Sequence, residues 1–121
     1  MPDKPINLFS SGNYKTDVKL MLDTVVDEGS FMFFFTHPKF SRNNPETLTL
    51  QEAKDIFFNF LSHNFENVPK ELISKLYFDK LDAESGDSDS YRRQVGIAFG
   101  DMLLGCASLN FAKQGELIKD N

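Results

Sequence analysis

The sequence is poor in cysteine and tryptophan. It contains one cysteine, Cys106, and no tryptophan among its 121 residues. A single cysteine excludes an intramolecular disulfide, and the first residues, MPDKPINLF, lack the long apolar segment of a secretory signal. We therefore expect the protein to reside in a reducing, cytoplasmic environment.

Long apolar runs and an excess of basic charge are also missing. No uninterrupted apolar run approaches the ~20 residues that a transmembrane helix needs, so we expect no membrane-spanning segment. The chain has 13 basic and 18 acidic residues, with a net charge of -5. Because affinity for nucleic acid depends on clustered Lys and Arg, this balance argues against a nucleic-acid partner.

Motifs that carry catalysis or metal binding are sparse. The sequence has no Gly-rich phosphate loop, dinucleotide fingerprint, nucleophile elbow or Glu-x-x-His pair. The acidic loop from Asp82 fails the EF-hand pattern, since Asp87 replaces the sixth-position Gly and Arg93 the final Glu. His63 shares a polar helix face with acidic and amide side chains, but a single imidazole is a weak indication of a metal site. We interpret Cys106 as a small buried hydrophobe. These features favour a non-enzymatic protein with no metal and no cofactor.

Phenylalanine is abundant. Phe supplies 13 residues, Tyr only three, and hydrophobic residues make up 40% of the chain. The length suits one domain, so we predict a single helical domain over residues 1–121 with a Phe-rich core and an extended or flexible segment at about 1–13.

Four segments show helical periodicity. The clearest follows Thr49, which forms a capping-box pattern with Glu52 and precedes the apolar stripe Leu50, Ala53, Phe57, Phe60, Leu61 and Phe65. Two further helices are predicted over residues 15–35 and from near residue 67 to before Gly86, with Pro69 in the first turn. The fourth, from Asp89 to Gln114, is apolar around most of its circumference. The sequence thus predicts an all-α, four-helix bundle-like fold in which this C-terminal helix is central and mostly buried.

Two glycines lie one turn apart in the C-terminal helix, at Gly96 and Gly100. Each costs ~1 kcal/mol of helix propensity relative to Ala, which close approach of another backbone or a bulky ring would offset. A Phe ring from elsewhere in the chain could fill this space. A ligand groove above the glycines is the alternative.

The run GSFMFFFTHPKF, from Gly29 to Phe40, places four Phe and one Met in five consecutive positions. We interpret it as the end of the first helix, since a strand would need burial on both faces and no second convincing strand exists. Met32 and Phe33 continue the stripe of that helix, whereas other rings point away from it. These rings and their neighbours are the candidate partner-binding residues: Phe31, Phe34, Phe35, His37 and Phe40. Enclosure by a loop that folds back through Phe40 is the alternative.

Two functional classes remain on the sequence alone. The first is a small acidic cytoplasmic protein that acts through protein–protein contacts, as an adaptor, inhibitor, chaperone-like or assembly subunit, with a different protein or a second copy of itself. The second is a small-molecule binder or enzyme with an apolar, Phe-lined pocket and His63 or His37 as its polar handle.

Overall fold

The computed structural model describes residues 3–15, 17–25, 29–41, 43 and 45–119, except for the side chains of residues 34, 36 and 116–119. The helices are α1 (Pro5–Ser10), α2 (Ser30–Thr36), α3 (Leu50–Asn64), α4 (Lys70–Tyr77), α5 (Ser88–Gly100) and α6 (Cys106–Lys119). A 3₁₀ turn covers Pro38–Phe40, and a π-helical turn, Asp101–Gly105, joins α5 to α6. No strand occurs in the described residues, so the predicted all-α class is confirmed, whereas the four-helix bundle is not.

Helix α3 begins where the capping-box pattern predicts. The Thr49 hydroxyl accepts a hydrogen bond from the Glu52 amide at 3.1 Å, and the Glu52 carboxylate accepts one from the Thr49 amide at 2.9 Å. These two bonds satisfy amides that a helix start leaves without partners. The buried residues Ala53, Phe57 and Leu61 follow at four-residue spacing and confirm the centre of the predicted stripe, whereas Phe65 at its end is 45% exposed.

Burial of the C-terminal helical stretch is confined to its first half. Helices α2 and α3 both pack on α5, and Tyr91, Val95, Ala98 and Phe99 are each at most 1% exposed. In α6, by contrast, Leu109 is 56% exposed and Cys106 is also exposed. The prediction of a mostly buried C-terminal helix, with Cys106 as a small buried hydrophobe, was therefore wrong for α6, because the main packing of α2 and α3 is on α5.

The two glycines of α5 accommodate the start of α2. A Cβ atom added at Gly29 would lie 2.9 Å from the Gly100 Cα and still closer to the Gly96 carbonyl oxygen. A Cβ atom added at Gly96 would meet Ser30, 3.1 Å from its Cα. Close approach of another backbone is thus confirmed, whereas both a Phe ring filling this space and a ligand groove above the glycines are excluded.

The N-terminal third differs from the sequence prediction. The predicted helix over residues 15–35 is reduced to α2, since residues 17–25 are not helical and residues 26–28 lie outside the described part. Asp, Thr and Val are weak helix formers, and this segment has no buried face to compensate. The segment at about residues 1–13, predicted to be extended or flexible, contains α1, which has Pro5 in its first turn.

The stretch Ser88–Gly115 qualifies, by its 28-residue length and apolar composition, as a candidate membrane span. The core helix of a soluble protein meets the same criterion. Within the most apolar window of this stretch, 28% of the residues are buried inside the protein.

Candidate functional site

Helix α2 presents one face to the core and another to solvent. Phe33 is 3% exposed and packs edge-on against Phe99, with ring centroids 4.7 Å apart. On the opposite side, Phe31 and Phe35 are 64% and 78% exposed and form an edge-to-face pair at 5.1 Å. Their spacing of four residues places them on the same side of the helix. We call this exposed face the Phe31/Phe35 surface.

Phe40 belongs to the core and not to this surface. It is 3% exposed, and its ring lies 5.0 Å from that of Phe33. The 3₁₀ turn at Pro38–Phe40 reverses the chain and returns the ring to the core side of α2. The assignment of Phe40 as a partner-binding residue was therefore wrong, because the loop encloses Phe33 while it leaves Phe31 and Phe35 outside.

The two remaining candidates have different outcomes. His37 is half-buried, and its Nδ1 atom accepts a hydrogen bond from the Lys39 amide at 3.2 Å. This bond caps the 3₁₀ turn, so the ring contributes to local structure, and its centroid lies 6.1 Å from that of Phe40. The side chain of Phe34 lies outside the described part of the structure.

Basic groups near His37 are engaged in contacts that hold the loop onto α3 and α5. The Lys39 ammonium pairs with Glu52 at 2.6 Å, and the Arg92 guanidinium donates to the Lys39 carbonyl at 2.7 Å and to the Glu46 carbonyl. The hydrogen bond from Lys39 is the main reason that the pKa of Glu52 is lowered to about 2, helped by the Thr49 amide. These basic groups therefore serve to attach the loop.

A polar pair that the sequence did not reveal lies at the π-helical turn. The Tyr77 hydroxyl of α4 donates to the Asp101 carboxylate at 3.0 Å. Burial, followed by this hydrogen bond and the negative charge of Asp101, raises the pKa of Tyr77 to about 12. In the sequence, Asp101 stands out as an acidic residue in a largely apolar helical stretch. Spacing along the chain does not indicate that Tyr77 is its partner.

The histidines proposed for a small-molecule site do not lie in an apolar pocket of the described residues. His63 is exposed and its Nδ1 lies 2.8 Å from the Asn59 carbonyl oxygen in the preceding turn. No group of three or more potential metal ligands occurs within the described residues. An apolar groove of about 360 Å³ does exist, between α1 and α6, and neither histidine lines it. Its lining residues are Pro5, Ile6, Phe9, Ala107, Asn110, Phe111 and Gln114.

Comparison with known proteins finds a distant sequence similarity to an enzyme. The chain is 27% identical over 112 residues to the acetylcholinesterase of Danio rerio. The aligned residues cover 93% of this chain but 17% of that relative, so the chain spans about a sixth of its length. No family model matches the chain. No solved structure matches it either.

Proposed function

We propose that this protein acts through contacts between its exposed apolar surface and another polypeptide, as an adaptor, inhibitor, chaperone-like or assembly subunit. The observation that carries the proposal is the Phe31/Phe35 surface, where two large rings remain in solvent although Phe33 of the same helix is in the core. Contiguous apolar patches on soluble domains commonly mark interaction sites, and aromatic side chains are frequent anchors in them. Covering one such ring contributes ~1.5–3 kcal/mol before ordering costs.

The contact is tested by Phe31→Ser and Phe35→Ser, made singly. We expect the parent chain to self-associate at micromolar concentration and each variant to weaken that association roughly tenfold or more, with the thermal midpoint little changed. Sedimentation equilibrium and thermal unfolding measure the two quantities. Leu76→Ser is the matched control, because Leu76 on α4 is also 64% exposed but lies outside this surface.

Two results would contradict this function. A parent chain that stays monomeric at all concentrations and captures no partner would remove the basis for an interaction surface. Unfolding of both Phe variants, with Leu76→Ser stable, would show that the rings are needed for the core.

We also propose a reducing environment for the protein, which is compatible with the exposed thiol of Cys106.

A second candidate is favoured by the similarity to acetylcholinesterase. We propose that the chain is the counterpart of one segment of a cholinesterase-like protein and packs within a larger assembly. The similarity extends over 93% of the chain, although at 27% identity. The G-x-S-x-G motif, which carries the nucleophile in one large class of esterases, is absent from the 121 residues. Ester hydrolysis would therefore require further polypeptide.

This second candidate has a direct test. We expect the 121-residue chain alone to leave acetylthiocholine unhydrolysed above the rate in buffer, and a longer gene product that includes it to hydrolyse the ester. Hydrolysis of the ester by the isolated chain, above the rate in buffer, would contradict the proposed segment role. Under both candidates, the exposed apolar surface is covered by other protein atoms.

A further inference from the structure

The turn that follows α1 fixes the position of the Phe9 ring. Gly12 has a φ of +72°, and the amides of Gly12 and Asn13 donate to the carbonyls of Phe9 and Leu8 at 3.2 and 2.9 Å. A left-handed residue with this pair of bonds is the Schellman ending of a helix, and it reverses the chain. The reversal returns Tyr14 to Phe9, and their rings stack with centroids 4.7 Å apart.

Phe9 also connects α1 to α6. Its ring stacks on that of Phe111, again at 4.7 Å and with an interplanar angle of 30°. Both residues line the apolar groove of about 360 Å³ between the two helices, which we call the α1/α6 groove. Ile6 and Ala107 contribute further apolar lining. This volume lies within the range of ~300–1,000 Å³ that is typical of small-molecule sites.

The α1/α6 groove has no ionisable residue among the described residues that line it. Lys4 and Lys113 are the charged sequence neighbours of the lining residues Pro5 and Gln114, and neither lines the groove itself. A charged ligand would lose hydration there without gaining an opposite charge, which is unfavourable. The lining therefore favours an uncharged ligand.

The polar side chains of the groove are two carboxamides, Asn110 and Gln114, which lie one turn apart on α6. Residues at this spacing share one side of a helix. Each carboxamide offers N–H donors and a carbonyl acceptor, and within the described residues neither has a hydrogen-bond partner. A ligand group that both donates and accepts can bond to this pair, and an amide does so without carrying a charge.

We infer that the α1/α6 groove binds an uncharged aromatic molecule that carries an amide group. The aromatic part packs against Phe9 and Phe111, where ring–ring contacts add to the burial of apolar area. The amide exchanges hydrogen bonds with Asn110 and Gln114. The site is separate from the Phe31/Phe35 surface, since α2 contributes none of its lining residues.

The chemistry is tested with three probes of similar shape: cinnamamide, cinnamate and methyl cinnamate. Titration at pH 7 followed by the NMR signals of the Asn110 and Gln114 side-chain amides measures their binding. We expect cinnamamide to bind with a dissociation constant of about 1 mM, given the free energy per atom that small ligands gain. Methyl cinnamate, which lacks a donor, should bind roughly fivefold more weakly, and the ionised cinnamate roughly tenfold or more.

Variants on α6 locate the bound probe. Ala107→Leu should weaken cinnamamide binding roughly tenfold or more, because it fills the groove at an exposed position where Leu suits a helix. Leu109→Phe is the control for added bulk and should change binding less than about twofold, since Leu109 is 56% exposed and does not line the groove. Gln114→Lys should reverse the preference to cinnamate, because the ammonium group supplies the missing positive charge.

Each contrary outcome overturns the inference. Cinnamate or methyl cinnamate bound as tightly as cinnamamide would contradict the assigned ligand chemistry. Cinnamamide binding that survives Ala107→Leu but is lost in Phe31→Ser would place the probe on the Phe31/Phe35 surface. Failure of all three probes would exclude this ligand class, and weaker self-association of Ala107→Leu would then show that a second copy of the chain occupies the groove. Because Phe31→Ser should leave cinnamamide binding unchanged, this site and the Phe31/Phe35 surface are tested independently.

Discussion

At the scale of single residues, Gly29 determines how closely α2 approaches α5. The space where its side chain would lie is taken by backbone atoms of Gly96 and Gly100, which cannot move without shifting α5. Gly96 in turn faces Ser30. Three glycines on two helices therefore allow a backbone contact that places Phe33 beside Phe99 in the core.

Gly29→Ala should destabilise the protein. We expect the free energy of unfolding to fall by ~1–3 kcal/mol, since the methyl group overlaps with backbone and not with a flexible side chain. Gly115→Ala is the control, because nothing lies within 4 Å of a Cβ atom there and the better helix propensity should add ~0.5–1 kcal/mol. Urea denaturation measures both changes. A Gly29→Ala protein as stable as the parent would show that α2 does not approach α5 this closely.

At the scale of helices and turns, Glu52 connects the start of α3 to the loop that follows α2. One carboxylate oxygen accepts from the Thr49 amide and the other pairs with Lys39. Arg92 of α5 binds the Lys39 carbonyl, so the loop is attached to two helices. Further along the chain, the Tyr77 hydroxyl joins α4 to the π-helical turn at Asp101.

The lowered pKa of Glu52 predicts an acid-dependent loss of stability. Its pKa is about 2 in the folded protein against an ordinary value of 4.5, so the stabilisation is present above pH 4.5 and is lost as the pH falls towards 2. We expect the free energy of unfolding to decrease over this range, and to decrease less steeply in Glu52→Gln. Urea denaturation at a series of pH values is the measurement. The same pH dependence in both proteins would indicate that Glu52 does not form these contacts in solution.

At the scale of the whole molecule, the apolar surface is unevenly divided. The core lies where α2, α3 and α5 meet, and its fully buried residues include Phe57, Phe99 and Tyr91. Large apolar side chains remain in solvent over residues 18–24, on the Phe31/Phe35 surface and on α6. A partner that covers these regions would add to the apolar area removed from water without altering the core.

We predict that the chain does not insert into membranes, although Ser88–Gly115 is apolar enough to do so. The first half of this stretch is already packed in the core, with Val95 and Ala98 fully buried, and insertion would require removing it from α2 and α3. Flotation with neutral phosphatidylcholine vesicles checks this: the chain should remain in the protein fraction. Flotation of folded chain with the vesicles would contradict the prediction.

Local features of the fold were determined by the sequence itself. The capping box at Thr49 and the apolar stripe through Ala53 and Phe57 involve residues within a few positions of one another, so their geometry follows from helix periodicity alone. The need for a close contact at Gly96 and Gly100 was also predictable, because glycines within a helix are costly unless packing compensates.

Which apolar residues are buried was decided only by the tertiary structure. Phe31, Phe33 and Phe40 are the same residue type within ten positions, yet only the last two are buried, because the 3₁₀ turn and α5 enclose one side of α2. In α6 and over residues 17–25, large apolar side chains remain exposed because no distant element in the described part of the chain covers them. Periodicity identifies a face that can be buried, but burial depends on whether a distant element lies over that face, and spacing along the chain does not specify this.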